Sequence, residues 1–137
     1  KNIVAAKEAN GDISALAQTV KLCGDELTIY SGNDDQITAF MSLGAKGVVS
    51  VLSNIAPRAV HDMVKMYLDG DTAASTELQL KYLDLCSSLF SDVNPIPVKE
   101  AMNMMGMEVG SCRLPLAQIQ PQAKEKLRRS LSALGMI

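Results

Sequence analysis

The sequence predicts an α/β fold with parallel strands that passes into a wholly helical second part. Three short apolar runs, at residues 3–7, 27–30 and 47–52, are separated by amphipathic stretches too long for hairpins, which calls for helical crossovers between parallel strands. The runs are mostly apolar, as befits strands with helices covering them. From Pro57 onward the strand pattern stops, and apolar residues recur at intervals of three and four.

The first run ends on Lys7 and breaks into a turn, with Asn10 and Gly11 supplying the turn chemistry and Asp12 placed to cap the next helix. Ile13, Leu16, Val20 and Cys23 then make one helical face, closed by Gly24 and Asp25. After the second run, Ser31, Gly32, Asn33, Asp34 and Asp35 form a glycine turn with acids at the first turn of a helix carrying Ile37, Phe40, Met41 and Leu43. The third run leads into a loop at Ser53 and Asn54. In folds of this kind the chemistry gathers at the carboxyl ends of the strands, here Lys7 with Glu8, residues 31–34 and residues 50–54.

Pro57 suits a first helical position, and Val60, Met63, Val64, Tyr67 and Leu68 form the stripe behind it. A helix over 72–89 follows, with Leu78, Leu80, Leu83, Leu85 and Leu89 as expected core residues. Asn94, Pro95, Ile96 and Pro97 read as a rigid extended linker, since each proline disfavours the α region for its predecessor. Pro97 opens a helix to Met105, residues 106–120 are irregular, and a last helix spans 121–134.

A net charge of −2 gives no electrostatic reason to expect a nucleic-acid partner, and 47% hydrophobic content over 137 residues suits a globular domain. No apolar run approaches the roughly 20 residues of a membrane span. Cys23, Cys86 and Cys112 are odd in number and lack metal-like spacing, which predicts reduced thiols and a cytoplasmic protein. No secretory pattern precedes the first strand, and strand-like sequence from residue 3 leads us to expect a chain that opens partway through a larger fold.

Five segments together resemble the dihydrodipicolinate synthase family of pyruvate-dependent class I aldolases. They are Ala6-Lys7-Glu8-Ala9-Asn10-Gly11; Tyr30-Ser31-Gly32-Asn33-Asp34-Asp35; Gly47-Val48-Val49-Ser50-Val51 with Asn54; Asn94-Pro95-Ile96-Pro97-Val98-Lys99; and Arg113-Leu114-Pro115-Leu116. They run in the family's order and spacing over nearly the whole chain, and the fourth favours the synthase over the sialic acid lyases. The resemblance implies the C-terminal part of a (β/α)8 TIM barrel: strands six to eight over residues 1–55, then the last barrel helix and a C-terminal helical extension over 56–137, with no independent second domain. A complementary N-terminal barrel half, carrying the family's proton relay and substrate-carboxylate arginine, becomes an expected partner.

By the same resemblance Lys7 is the Schiff-base lysine, which condenses with pyruvate before the enamine attacks L-aspartate 4-semialdehyde. No cofactor is implied beyond that covalent imine. An ammonium cannot attack a carbonyl, so this chemistry asks for a lysine withdrawn from water; from its position alone Lys7 reads as a surface lysine at a strand end, and it is the resemblance that gives it the catalytic role. Val49 falls where the family places a backbone carbonyl beside the keto acid, while its side chain reads as core. Gly32 allows close backbone approach to a ligand. Asn33 and Asp34 stand either at the rim of the site or as helix caps. His61 reads as solvated, no metal site is expected, and Met102, Met104, Met105 and Met107 read as adaptable core. Lys124, Lys126, Arg128 and Arg129 read as a wet helix face. Other functions compatible with these residues are a non-catalytic half-barrel scaffold or self-association module, and a related aldolase such as N-acetylneuraminate lyase. The family implies a homo-oligomer, tetrameric in bacteria.

Overall fold

The computed structural model describes residues 2–137. The chain divides into two compact units, one running to Ser50 and taking in Arg58–Leu80, the other made of Val51–Pro57 and Lys81–Ile137.

In the first unit, strand β1 (Ala5–Glu8) pairs in parallel with β2 (Thr28–Ser31), in the register Lys7 to Tyr30 and Glu8 to Ser31. Helix α1 (Ile13–Cys23) makes the crossover between them. Its start is built as the sequence predicts: the Asp12 carboxylate accepts the amides of Ser14 at 2.8 Å and Ala15 at 3.0 Å. A short 3-10 turn over Asp34–Gln36 leads into α2 (Ile37–Ser42). Leu16, Ile29, Phe40 and Ala45 are buried together, with Ala6, Val20, Leu27 and Leu43 packed on them. Pairing by helices over one sheet face thus follows from the apolar runs.

The third predicted strand is shorter than expected. A single parallel bridge joins Ser31 to Val48, supported by hydrogen bonds from Lys46 N to Ile29 O, Ser31 N to Gly47 O and Val49 N to Ser31 O. Beyond it the backbone tightens into a 3-10 turn at Leu52–Asn54, where Asn54 donates to the Val51 carbonyl, so residues 50–52 leave the ladder.

Helix α3 (Pro57–Leu68) buries Val60 and Met63 as its stripe predicts, but Leu68 at its end is exposed. Helix α4 (Thr72–Leu89) has the predicted bounds and a different inner face. Ser75, Gln79, Leu85, Cys86, Ser88 and Leu89 are buried, whereas Leu80 (61% exposed) and Leu83 point outward. Ser75 and Gln79 hold inner positions that the leucine pattern does not reveal, and they do so by hydrogen bonding, Ser75 Oγ donating to Met63 O at 2.7 Å.

The second unit is helical. Helix α5 (Ile96–Met104) packs on α6 (Pro121–Ala133), and Ala101, Leu127 and Leu131 are fully buried within it. The expected extended linker at 94–97 is a turn instead: the Asn94–Pro95 bond is cis, and helix begins at Ile96. Leu114–Pro115 is also cis. The basic residues of α6 reach further than a wet face would: Lys124 pairs with Glu100 at 2.5 Å and Lys126 donates to Ser87 Oγ at 2.8 Å. Met102, Met104 and Met105 are half-buried, and Met107 is exposed.

Candidate active site

The predicted site residues lie at the carboxyl ends of the strands in the first unit. Alternation along β1 sends Ala6 toward the core and Lys7 to the other face, where Lys7 is exposed. The expectation of a buried lysine is therefore not met within this chain, because the face of β1 that carries it lies open. Behind it, Glu8 Oε1 accepts the Asn10 amide at 2.9 Å and Asn10 Oδ1 accepts the Asp12 amide at 2.7 Å. With Gly11 in the left-handed region (φ 77°), this locks the turn that carries the chain away from Lys7.

Gly32 is the residue most closely fitted to Lys7. A Cβ at this position would stand 2.8 Å from Lys7 Cε, 2.5 Å from Ala9 Cβ and 3.1 Å from Glu8 O. The Gly32 amide in turn donates to Glu8 O at 2.7 Å, extending the ladder past β2. The absence of a side chain lets the two strand ends close while the lysine stem passes over the backbone.

Val49 lies one ladder step further on, its amide donating to Ser31 O at 2.7 Å. Its side chain is 49% exposed, so the reading of a core valine is corrected: the strand has turned its side chain away from the packed face. Asn33 is half-buried and its side chain makes no cap; Nδ2 donates to Gln36 Oε1 at 3.3 Å, and its carbonyl accepts the Gln36 amide. Asp34 is buried, which removes it from an exposed rim.

Two residues that hold this loop, Ser31 within it and Gln79 in α4, were not singled out as site residues by the sequence. Ser31 is fully buried, with its hydroxyl accepting from Asn33 N at 3.1 Å and donating to Asn33 O at 2.9 Å. Gln79, buried in α4, donates from Nε2 to Asp34 O at 2.6 Å and accepts the Thr38 amide on Oε1 at 3.1 Å. Its polarity amid a leucine-rich helix was the available clue.

His61 is exposed as predicted and pairs with Asp62 at 2.9 Å. No cluster of three or more His, Cys, Asp or Glu side chains is gathered among the described residues, and no helix there is long and apolar enough to cross a membrane.

Parallel strands with crossover helices, and a lysine at a strand's carboxyl end, are features of barrel enzymes that work at that end. Comparison with known proteins is specific. The pattern of the dihydrodipicolinate synthetase family matches residues 1–134. The 4-hydroxy-tetrahydrodipicolinate synthases of Clostridium perfringens and Lachnoclostridium phytofermentans are 51% and 52% identical over 136 residues, 99% of this chain and 47% and 46% of theirs. The crystal structure of the dihydrodipicolinate synthase of Acinetobacter baumannii complexed with pyruvate superposes with a TM-score of 0.93 at 36% identity, covering 99% of this chain and 47% of that one. The chain belongs to the dihydrodipicolinate synthetase family, whose solved members are TIM-barrel enzymes, and spans about half the length of the relatives it matches.

Proposed function

We propose that this chain is the lysine-bearing C-terminal part of a 4-hydroxy-tetrahydrodipicolinate synthase, supplying strands six to eight of its barrel, and that it works when joined to the N-terminal barrel half. The observation that carries this reading is the fit of Gly32 against Lys7 Cε at the carboxyl end of paired parallel strands.

In the proposed reaction the neutral Lys7 amine attacks the ketone of pyruvate, and loss of water leaves an imine. The protonated imine draws electrons from the adjacent methyl group, which gives up a proton to become an enamine. The enamine carbon attacks the aldehyde of L-aspartate 4-semialdehyde. Attack of the semialdehyde's amino group on the imine carbon then closes the ring and releases Lys7. Lys7 is exposed in this chain, so in this reading the complementary half withdraws it from water and also supplies the proton relay. No metal or organic cofactor takes part in this scheme. Gly32 and the Val49 carbonyl border the keto acid, with Asn33 contributing to the turn beside it. The reading implies a cytoplasmic, homo-oligomeric enzyme of lysine and diaminopimelate biosynthesis.

The test is reduction with borohydride in the presence of pyruvate, applied to the chain assembled with an N-terminal barrel half and followed by peptide mass mapping. A pyruvate-derived adduct on Lys7, lost in Lys7→Arg, is expected. An assembled barrel without an adduct at Lys7 would sink the proposal.

A second reading has one observation in its favour. Strand β1 has no strand neighbour on its outer edge among the described residues, and Ile3 and Val4 beside it are exposed, as suits a self-association module. A defined oligomer of the chain alone, with no adduct after addition of the other half, would favour it.

A further inference from the structure

We propose that Gln79 is a positioning residue for Lys7, acting from α4 as the cap of the loop that holds Gly32. This rests on Lys7 being the imine-forming lysine.

Helix α2 starts without a local cap: Gln36, at its N-cap position, makes no capping hydrogen bond with its own side chain. The first amides of a helix have no partners within it, and the Thr38 amide is one of these. Gln79, 41 positions away in sequence, accepts that amide on Oε1, while its Nε2 donates to the Asp34 carbonyl. The two partners differ in kind, one an N–H and the other a carbonyl, so the orientation of the Gln79 amide is set by them. The side chain is 3% exposed, so water offers these groups little replacement.

The clamped segment connects directly to the lysine. Gln36 Nε2 donates to Gly11 O at 3.2 Å, tying the loop to the turn after β1. Asn33 is held to Ser31 through the serine hydroxyl, and Gly32 lies between them. Gly32 faces Lys7 Cε with no room for a Cβ, so displacement of the loop toward β1 meets the lysine stem. Loosening the Gln79 clamp therefore shifts the surface on which the lysine rests.

Two variants test this in the assembled barrel. Gln79→Met keeps the side chain's length and removes both hydrogen bonds; Gln79→Glu keeps an acceptor for Thr38 but sets a carboxylate oxygen against the Asp34 carbonyl. Ser75→Ala is the control, since it deletes a buried α4 hydrogen bond to Met63 remote from the loop. The readouts are the rate of borohydride-trapped adduct formation at Lys7 as a function of pyruvate, and amide exchange at Thr38. For both Gln79 variants we expect the maximal trapping rate to fall about tenfold, with half-saturation by pyruvate moving less than about twofold. Thr38 exchange should quicken in Gln79→Met, and Ser75→Ala should keep its trapping rate. Trapping at the unaltered rate in both Gln79 variants, or an equal fall in Ser75→Ala, overturns the positioning role. Absence of an adduct in the unsubstituted assembled barrel instead defeats the imine reading beneath it. Unchanged Thr38 exchange in Gln79→Met overturns the clamp irrespective of the chemistry.

Discussion

Lys7 and Gly32 constrain each other. The lysine stem occupies space that a Cβ on residue 32 would need, and Ala9 Cβ would stand 2.5 Å from that Cβ as well. Ala9 Cβ moves only with the backbone, so the crowding cannot be relieved by a rotamer change alone. We expect Gly32→Ala to destabilise the first unit by about 1–3 kcal/mol, as overpacking does. Urea denaturation of the assembled barrel would measure it, and a midpoint unchanged from the parent would show that the strand ends separate freely. On the proposed imine chemistry, the same replacement should also lower adduct formation at Lys7, because it moves the lysine or the loop. Motif resemblance places Lys7 and Gly32 in one site, but their contact is not legible in the sequence. It depends on the register that sets Glu8 beside Ser31.

Among the elements, caps supplied locally were legible and caps supplied from a distance were not. Asp12 stands next to the helix it caps and was identified from its position. α6 starts differently: its N-cap residue, Gln120, makes no side-chain cap, and the Asp92 carboxylate accepts the Gln120 amide at 3.0 Å and the Val93 amide at 2.7 Å. The Gln120 bond, followed by that from Val93, lowers the Asp92 pKa below its ordinary 3.8. A carboxyl whose pKa is lower folded than unfolded stabilises the fold above the unfolded value and loses that contribution as pH falls through the folded one. Denaturation midpoints followed downward from about pH 6 to pH 3 should therefore drop more steeply for the parent than for Asp92→Asn. Parallel curves for the two proteins would count against the tether. The helix faces tell a similar story. The α4 pattern pointed to Leu80 and Leu83, but the buried positions went to Ser75 and Gln79, whose partners lie on distant segments.

For the molecule as a whole, the open edge of β1 is the feature with the largest consequence. Val4 O and Glu8 O both accept amides from the segment containing β2, so the strand's period of two turns the backbone groups of Ala5 and Lys7 toward the unpaired edge. Those amides should exchange rapidly in the chain alone and become protected on assembly with the proposed N-terminal barrel half. Hydrogen exchange measured with and without that half would decide it, and rapid exchange in both would mean that β1 stays an edge. The comparison structures agree in scale, since this chain covers 47% of the pyruvate-complexed synthase it superposes on.

The amino-acid sequence by itself determined the order of the first two strands and the helices, the Asp12 cap, the parallel character of the pairing and the family. Each of these depends on residues close together in the chain or on contiguous motifs. Tertiary structure decided that the third strand shrinks to a bridge, that Val49 and Lys7 are exposed, that Asp34 is buried and that Gln79 clamps the loop. Those outcomes turn on which segment lies against which. Gln79 and Asp34 are 45 residues apart, and an amide side chain among leucines declares no partner until the fold brings the Asp34 carbonyl and the Thr38 amide to it.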